Sequence, residues 1–304
     1  MFRKSLEAVV AVAWATLTAT AADIAPSQTK LTAAEIVNKN VAARGGLEAW
    51  RAVKTMTLSG KLGAGGNQRA TLQVPNPSGQ TQVSTRQSRQ PMMPARPLEE
   101  VQLPFVMKLQ RPRKMRFELE FAGQTAVQVF DGANGWKLRP FLGRRVVESY
   151  TADELKTTST QADLDGPLVD YAAKGTKLEL EGVEKAEGRD SYKVKLTLNN
   201  GETQHVWIDV QSFLETKMSG QPRRLDGTDH PVEVHMRDYR AINGLQIPFL
   251  LETRVLPVAK IVLGLRDTAV PPEKTMIEKV VINPKFEEAL FSKPEPGLSA
   301  SVVQ

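Results

Sequence analysis

Seven consecutive residues alternate without a break. Met115, Phe117, Leu119 and Phe121 are apolar, and Arg116, Glu118 and Glu120 between them are charged. A period of two puts the two sets on opposite faces of an extended chain, so this segment is a strand with one side that must be covered. The same rhythm continues over Thr55–Leu62, Gln68–Val74, Gln124–Phe130, Trp136–Arg139, Lys177–Val183 and Ser191–Leu198. It resumes over Thr203–Asp209, Phe213–Ser219, Val232–Tyr239, Leu245–Val255 and Thr275–Ile282. Turn residues separate these runs, most clearly Asn199-Asn200-Gly201 and Asp131–Gly135. No strand–helix–strand rhythm interrupts them, which argues against a parallel α/β fold. The reading is a mainly β, antiparallel domain of about ten or eleven strands. A sheet of that size must curl, close or be covered.

Helices are few. Thr32 and Glu35 form a capping box, Ile36, Val37, Val41 and Ala42 make an apolar stripe, and Gly45-Gly46 ends it. Leu47–Val53 fits a second short helix carrying Trp50. Thr151 and Glu154 form another capping box, opening a helical patch that runs to about Tyr171 with a break at Gly166-Pro167.

The N-terminus carries the parts of an export signal. Arg3 and Lys4 are the basic region, Ala8–Thr18 is an apolar stretch too short to span a bilayer, and Ala19-Thr20-Ala21 is an A-x-A cleavage site. Residues 1–21 are therefore read as a signal peptide and 22–304 as one domain, soluble in the periplasm. Pro75–Pro97, rich in Pro, Ser, Gln and Arg, is read as a mobile polar insertion. The chain has no cysteine. That excludes disulfides and an acylated cysteine, and leaves an apolar core to hold an exported domain together. The net charge of +6 is spread along the chain among glutamates. This is no nucleic-acid footprint, but it favours transient contact with anionic surfaces.

Motifs for chemistry are missing. There is no G-x-S-x-G nucleophile turn and no phosphate-binding glycine loop. His230 and His235, five apart on a strand, point to opposite faces and share no metal; they read as surface or strand-edge residues. No cofactor or metal is implied. If acid–base chemistry exists, His205, His235 and Glu233 are its strand-borne candidates. The larger signal is apolar: Phe117, Leu119, Phe121, Trp136, Val194, Leu196 and Trp207 are candidates to line one groove suited to an acyl chain. At Trp207 the parity is open, because Val206 and Ile208 compete for the same face.

Four segments carry a resemblance. Ala43–Gly60 is similar to the opening of exported outer-membrane lipoprotein-sorting-like proteins, in the superfamily of the periplasmic lipoprotein carrier. Phe130-Asp-Gly-Ala-Asn-Gly-Trp136 resembles their aromatic-Asp-Gly…Gly-Trp hairpin. Asp238–Phe249 resembles the late strand pair ending in a Pro-aromatic step, and Asn283-Pro284…Leu290-Phe291 the closing phrase. The resemblance implies an unclosed, strongly curved antiparallel half-barrel with short helices as a lid. It implies shielding of a lipid or lipoprotein acyl chain for transport or sorting to the outer membrane, without covalent chemistry. No position matches the carrier's lid-latching arginine, and the 75–97 insertion is longer than a carrier's hairpin needs. Three readings therefore stand: a carrier, an envelope sensor that detects mislocalised lipoproteins in the same groove and docks its partner through the Pro75–Pro97 loop, and a cofactor-free enzyme.

Overall fold

The computed structural model describes residues 31–65, 100–140, 144–225, 228–258 and 270–295, and the chain from Thr32 onward forms one compact unit. Both capping boxes are made. Thr32 Oγ1 accepts from the Glu35 amide at 3.2 Å while the Glu35 carboxylate accepts from the Thr32 amide at 2.8 Å, starting α1 (Ala33–Ala43). Gly45 and Gly46 end it with φ of 114° and 92°. A side chain at Gly45 would also meet the Gly244 carbonyl at 2.5 Å. Helix α2 (Leu47–Ala52) follows, and α3 (Ala152–Gln161) starts at the Thr151 box.

Thirteen antiparallel strands make one sheet among the described residues. The first half is a meander leading outward: β1 (Thr55–Gly65), β2 (Glu100–Gln110), β3 (Lys114–Phe121), β4 (Gln124–Phe130), β5 (Gly135–Arg139) and β6 (Arg144–Ser149). The second half returns inward: β7 (Lys177–Ala186), β8 (Arg189–Thr197), β9 (Thr203–Asp209), β10 (Glu215–Leu225), β11 (Thr228–Ile242), β12 (Leu245–Val255) and β13 (Glu273–Ile282). The halves meet where β13 pairs with β1. Strands β6 and β7 are therefore the two edges, and the sheet is not closed.

The link between those edges forces the curvature. On a flat sheet, twelve inter-strand steps of about 4.8 Å would separate β6 from β7 by roughly 58 Å. The connecting segment, 150–176, holds α3, whose ten residues rise only about 15 Å, followed by a run of turns. The sheet must wrap around it. Arg113 in the β2–β3 turn and Asn199 in the β8–β9 turn line one cleft with α3 residues Lys156 and Ser159. Six strand steps separate β2 from β9, about 29 Å if flat. The helices thus occupy the inner side of an open half-barrel.

The expected class holds, with more strands than the sequence suggested. Strands β2 and β6 are the additions, and α3 stops at Gln161, with turns continuing to Gly175. Phe213, expected to open a strand, lies in the β9–β10 turn with φ of 55°. The expected Gln68–Val74 strand, the signal segment and the 75–97 insertion lie outside the described residues. Within its described length β1 already has β2 along one side and β13 along the other as far as Leu62.

Candidate ligand-binding face

Directly opposed residues in antiparallel strands project to the same side, so register assigns the faces. Phe117 lies opposite Met107, and Met107 opposite Leu58; Leu119 lies opposite Phe105, and Leu103 opposite Leu62. On the neighbouring strands this face carries Gln128 and Lys137. Gln128 Oε1 accepts from the Tyr150 hydroxyl at 3.3 Å, and the Lys137 ammonium pairs with Glu154 of α3. It is therefore the inner, helix-bearing face.

Burial along it is uneven. Met56, Leu109, Met115 and Phe130 are buried at the end where Arg111 donates to the backbone carbonyls of Val53, at 2.7 Å, and Trp50, at 3.0 Å. Phe105 is also buried, and its ring stacks on Phe117 at 5.9 Å. Farther along, Leu58, Leu62, Leu103, Met107, Phe117 and Leu119 are only half-buried, as is Phe121. Three adjacent strands thus offer a partly accessible apolar surface beside a sealed core.

Register also links the far half of the sheet to this face. Val194 lies opposite Val206, Val206 opposite Met218, Met218 opposite Val234, and Val234 opposite Thr253. Thr253 shares its side with Leu251, which opposes Thr275, itself opposite Leu62. Val194 and Leu196 therefore face inward, but both are sealed. Helix α1 packs here: Asn40 Nδ2 donates to the Phe213 carbonyl at 2.8 Å, Lys39 lies over the Phe213 ring, and that ring stacks on Tyr192.

The seven candidate residues do not share one groove. Phe117, Leu119 and Phe121 lie on the accessible inner surface, while Val194 and Leu196 belong to core. Trp136 and Trp207 are on the outer face, which corrects the single-groove assignment. Gly135 sits opposite Phe130, so Trp136 takes the other parity with Val129 and packs under the 3-10 turn Glu288–Phe291. At β9, Val206 and Ile208 take the inner face. Trp207 turns outward between Lys193 and Lys217, with the Glu184 carboxylate accepting from its indole nitrogen.

The acid–base candidates each lie against a neighbouring polar or charged side chain. His235 is buried, not at the surface as expected, with Nε2 3.0 Å from Glu233 and Nδ1 3.0 Å from Glu187. Burial acts to raise the Glu233 pKa, but Lys217 at 2.7 Å and His235 outweigh it and hold the carboxyl below its ordinary value. His205 pairs with Glu181 at 3.3 Å, and buried His230 has Nδ1 3.0 Å from the Leu256 carbonyl. No group of three or more His, Cys, Asp or Glu able to hold a metal occurs among the described residues.

A second ionic centre, built around two aspartates that sequence alone reads as solvated surface, fixes the helical layer. Asp165 is 1% exposed and accepts from Arg111 and, at 2.6 Å, from Lys174, which also reaches Asp163 at 2.8 Å. Burial raises the Asp163 pKa. At Asp165 the same penalty is overcome by Lys174 and Arg111, which keep it low. Arg44 reaches the Asp165 carbonyl at 3.3 Å and Glu215 at 3.2 Å, and its guanidinium stacks over Trp50. The Tyr239 hydroxyl donates to Glu215, and burial pushes its pKa well up.

No protein-family model matches the sequence, and no curated protein matches it. Solved structures do match in fold. A LolA superfamily protein from Nitrosomonas europaea aligns at 10% identity over 86% of this chain and 98% of its own, with a TM-score of 0.51. A DUF1329 family protein from Desulfovibrio piger aligns at 10% identity over 86% and 97%, with a TM-score of 0.50. The open, curved sheet of this chain is thus similar in fold to a LolA superfamily protein.

Proposed function

We propose that the protein is a periplasmic binding protein that shields the acyl chain of a lipid or lipoprotein against its inner face, for transport or sorting toward the outer membrane. The observation that carries this reading is the half-buried apolar surface of β1–β3, with Phe117 and Leu119 at its centre. Burying a methylene stabilises a guest by about 0.8 kcal/mol, so eight methylenes contribute roughly 6 kcal/mol before the cost of ordering the chain. Such a ligand needs no directional contact. The export-type N-terminus and the LolA-superfamily fold support the same reading.

The test is titration with a fluorescent fatty acid, paired with native mass spectrometry after exposure to a lipid extract. The wild-type protein should bind lipid unaltered, and Leu119→Asp should lose binding while its melting temperature stays within a few degrees. A carboxylate in the path of a hydrocarbon chain must lose its water or keep it in the site, and both oppose the guest. Undiminished binding by folded Leu119→Asp and Phe117→Asp would remove this surface from the proposal.

A further inference from the structure

The outer face of the central strands carries cations with no ion-pair partner among the described residues. Register places Lys108 opposite Thr57 and Thr57 opposite Val281; Val106 lies opposite Ser59 and Ser59 opposite Lys279. The next row is Pro104, Lys61 and Met276, with Lys274 two residues farther along β13. All of these project away from the helices. Lys108, Lys274 and Lys279 have no carboxylate within 4.0 Å among the described residues, while Lys61 pairs with Glu278 at 3.1 Å. Arg116 and Glu118 neutralise each other at 2.6 Å, and Glu120 is the remaining acid of β3 on this side. Between the lysines stand small hydroxyl side chains and Val281, one of three large apolar residues exposed among the described residues.

We propose that this outer surface of β2, β1 and β13 docks onto an anionic lipid bilayer. The patch spans three strands and at least three rows, contains no aromatic side chain, and carries four lysines against Glu278, which pairs with Lys61, and Glu100, which lies at its far end beside Gly63. Protein–protein interfaces centre on aromatic and apolar anchors and are depleted in lysine, so a protein partner fits it poorly. A plane of anionic headgroups fits it well: each ammonium gains from the surface potential, and Val281 with Val106 can meet the interfacial region. The proposal goes beyond acyl-chain binding and does not depend on it, because the docking surface and the apolar inner surface lie on opposite sides of the same strands.

The test is co-sedimentation of the full chain with phosphatidylglycerol–phosphatidylcholine vesicles and with pure phosphatidylcholine vesicles at low salt. Binding should need the anionic lipid and should fall as salt is raised. Lys108→Glu and Lys279→Glu should each weaken it by at least about fivefold, the loss expected for one charge. Lys185→Glu, the same charge change at an exposed β7 position near the hairpin tip, should change it much less. Thermal melting checks that each variant is folded. Equal binding to neutral vesicles, or equal loss in all three variants, would overturn the proposal. The fatty-acid titration of Lys108→Glu should match wild type, which keeps a failure here distinct from a failure of the acyl-chain reading.

Discussion

Glu187, in the β7–β8 turn, places a carboxylate oxygen 3.0 Å from Nδ1 of His235, which stands on β11 three strand steps from β8. Arg237 donates to the same carboxylate at 2.6 and 2.7 Å, and Arg254 lies 3.3 Å away. The hairpin tip is thereby drawn across the outer face, above Trp207. Its two turn residues, Glu187 and Gly188, have φ of 53° and 80°, a geometry that asparagine or glycine adopts more readily than glutamate. The ion pairs offset that strain.

Glu187→Gln should therefore lower stability near neutral pH by about 1–2 kcal/mol, read by urea unfolding. Hydrogen bonds from Arg237 hold Glu187 below the ordinary carboxylate range. A depressed carboxyl contributes fully above its unfolded value, about 4.3, and loses that contribution as pH falls through the folded value. The gap between wild type and variant should close below about pH 4. The same gap at pH 3 and pH 7 would rule out the ion pairs as its source.

Two aspartate substitutions four residues apart on one strand face should behave differently. Met115 is sealed, so Met115→Asp should unfold the domain at room temperature. Leu119 is half-buried, so Leu119→Asp should melt cooperatively and retain the far-ultraviolet circular dichroism of the parent. Equal damage by both would mean that the inner face is core throughout.

Asp165→Asn should be the most damaging isosteric change in the helical layer. It leaves Arg111 and Lys174 close to a group that no longer carries charge, and breaking a buried pair in this way costs about 3–5 kcal/mol. Because the Asp165 carboxyl is depressed, wild type should lose this contribution only as pH falls below the ordinary aspartate range. A melting curve of Asp165→Asn that overlays wild type at pH 7 would show that the layer is held by its apolar contacts alone.

Much of this fold is legible from period and turn chemistry. Strands β9 and β12 have the bounds that alternation assigns, and both capping boxes start helices. Strand β2 is obscured by Pro104 and Val106, which interrupt the polar set between Leu103, Phe105, Met107 and Leu109. Proline is tolerated there because pairing with β3 begins only at Phe105, so Pro104 has a partner in β1 alone. Strand β6 is six residues long and begins with two arginines, too short for its period to register. The candidate surface was legible only in part. Alternation shows that a strand has two faces, but which of them looks inward depends on the neighbouring strands and on what covers each side. Trp136 and Trp207 went outward for that reason. The Asp165 centre joins residues from four separate segments, so no local pattern announces it.

Gly60 tests the seam between the two meanders. It lies on β1 opposite Ile277, where β13 bulges at Glu278, and a Cβ there would sit 1.9 Å from the Met276 carbonyl oxygen. That atom is backbone within a paired strand, so it can move only by displacing β13. Gly63, three residues on, makes a useful contrast. Its nearest obstacle is the Glu100 carboxylate at 2.5 Å, a side-chain end that can swing away, and the nearest backbone atom is at 3.2 Å. Gly60→Ala should therefore cost about 3 kcal/mol and Gly63→Ala about 1 kcal/mol or less in urea unfolding. Among the described residues, the seam is also the one place where the outgoing and returning strands are hydrogen-bonded. Gly60→Ala should consequently raise amide exchange in both β1 and β13, while β8 and β9, far along the sheet, keep their protection. Equal costs for the two alanines would mean that β13 accommodates a side chain at its bulge and that the halves are joined less rigidly than the packing indicates.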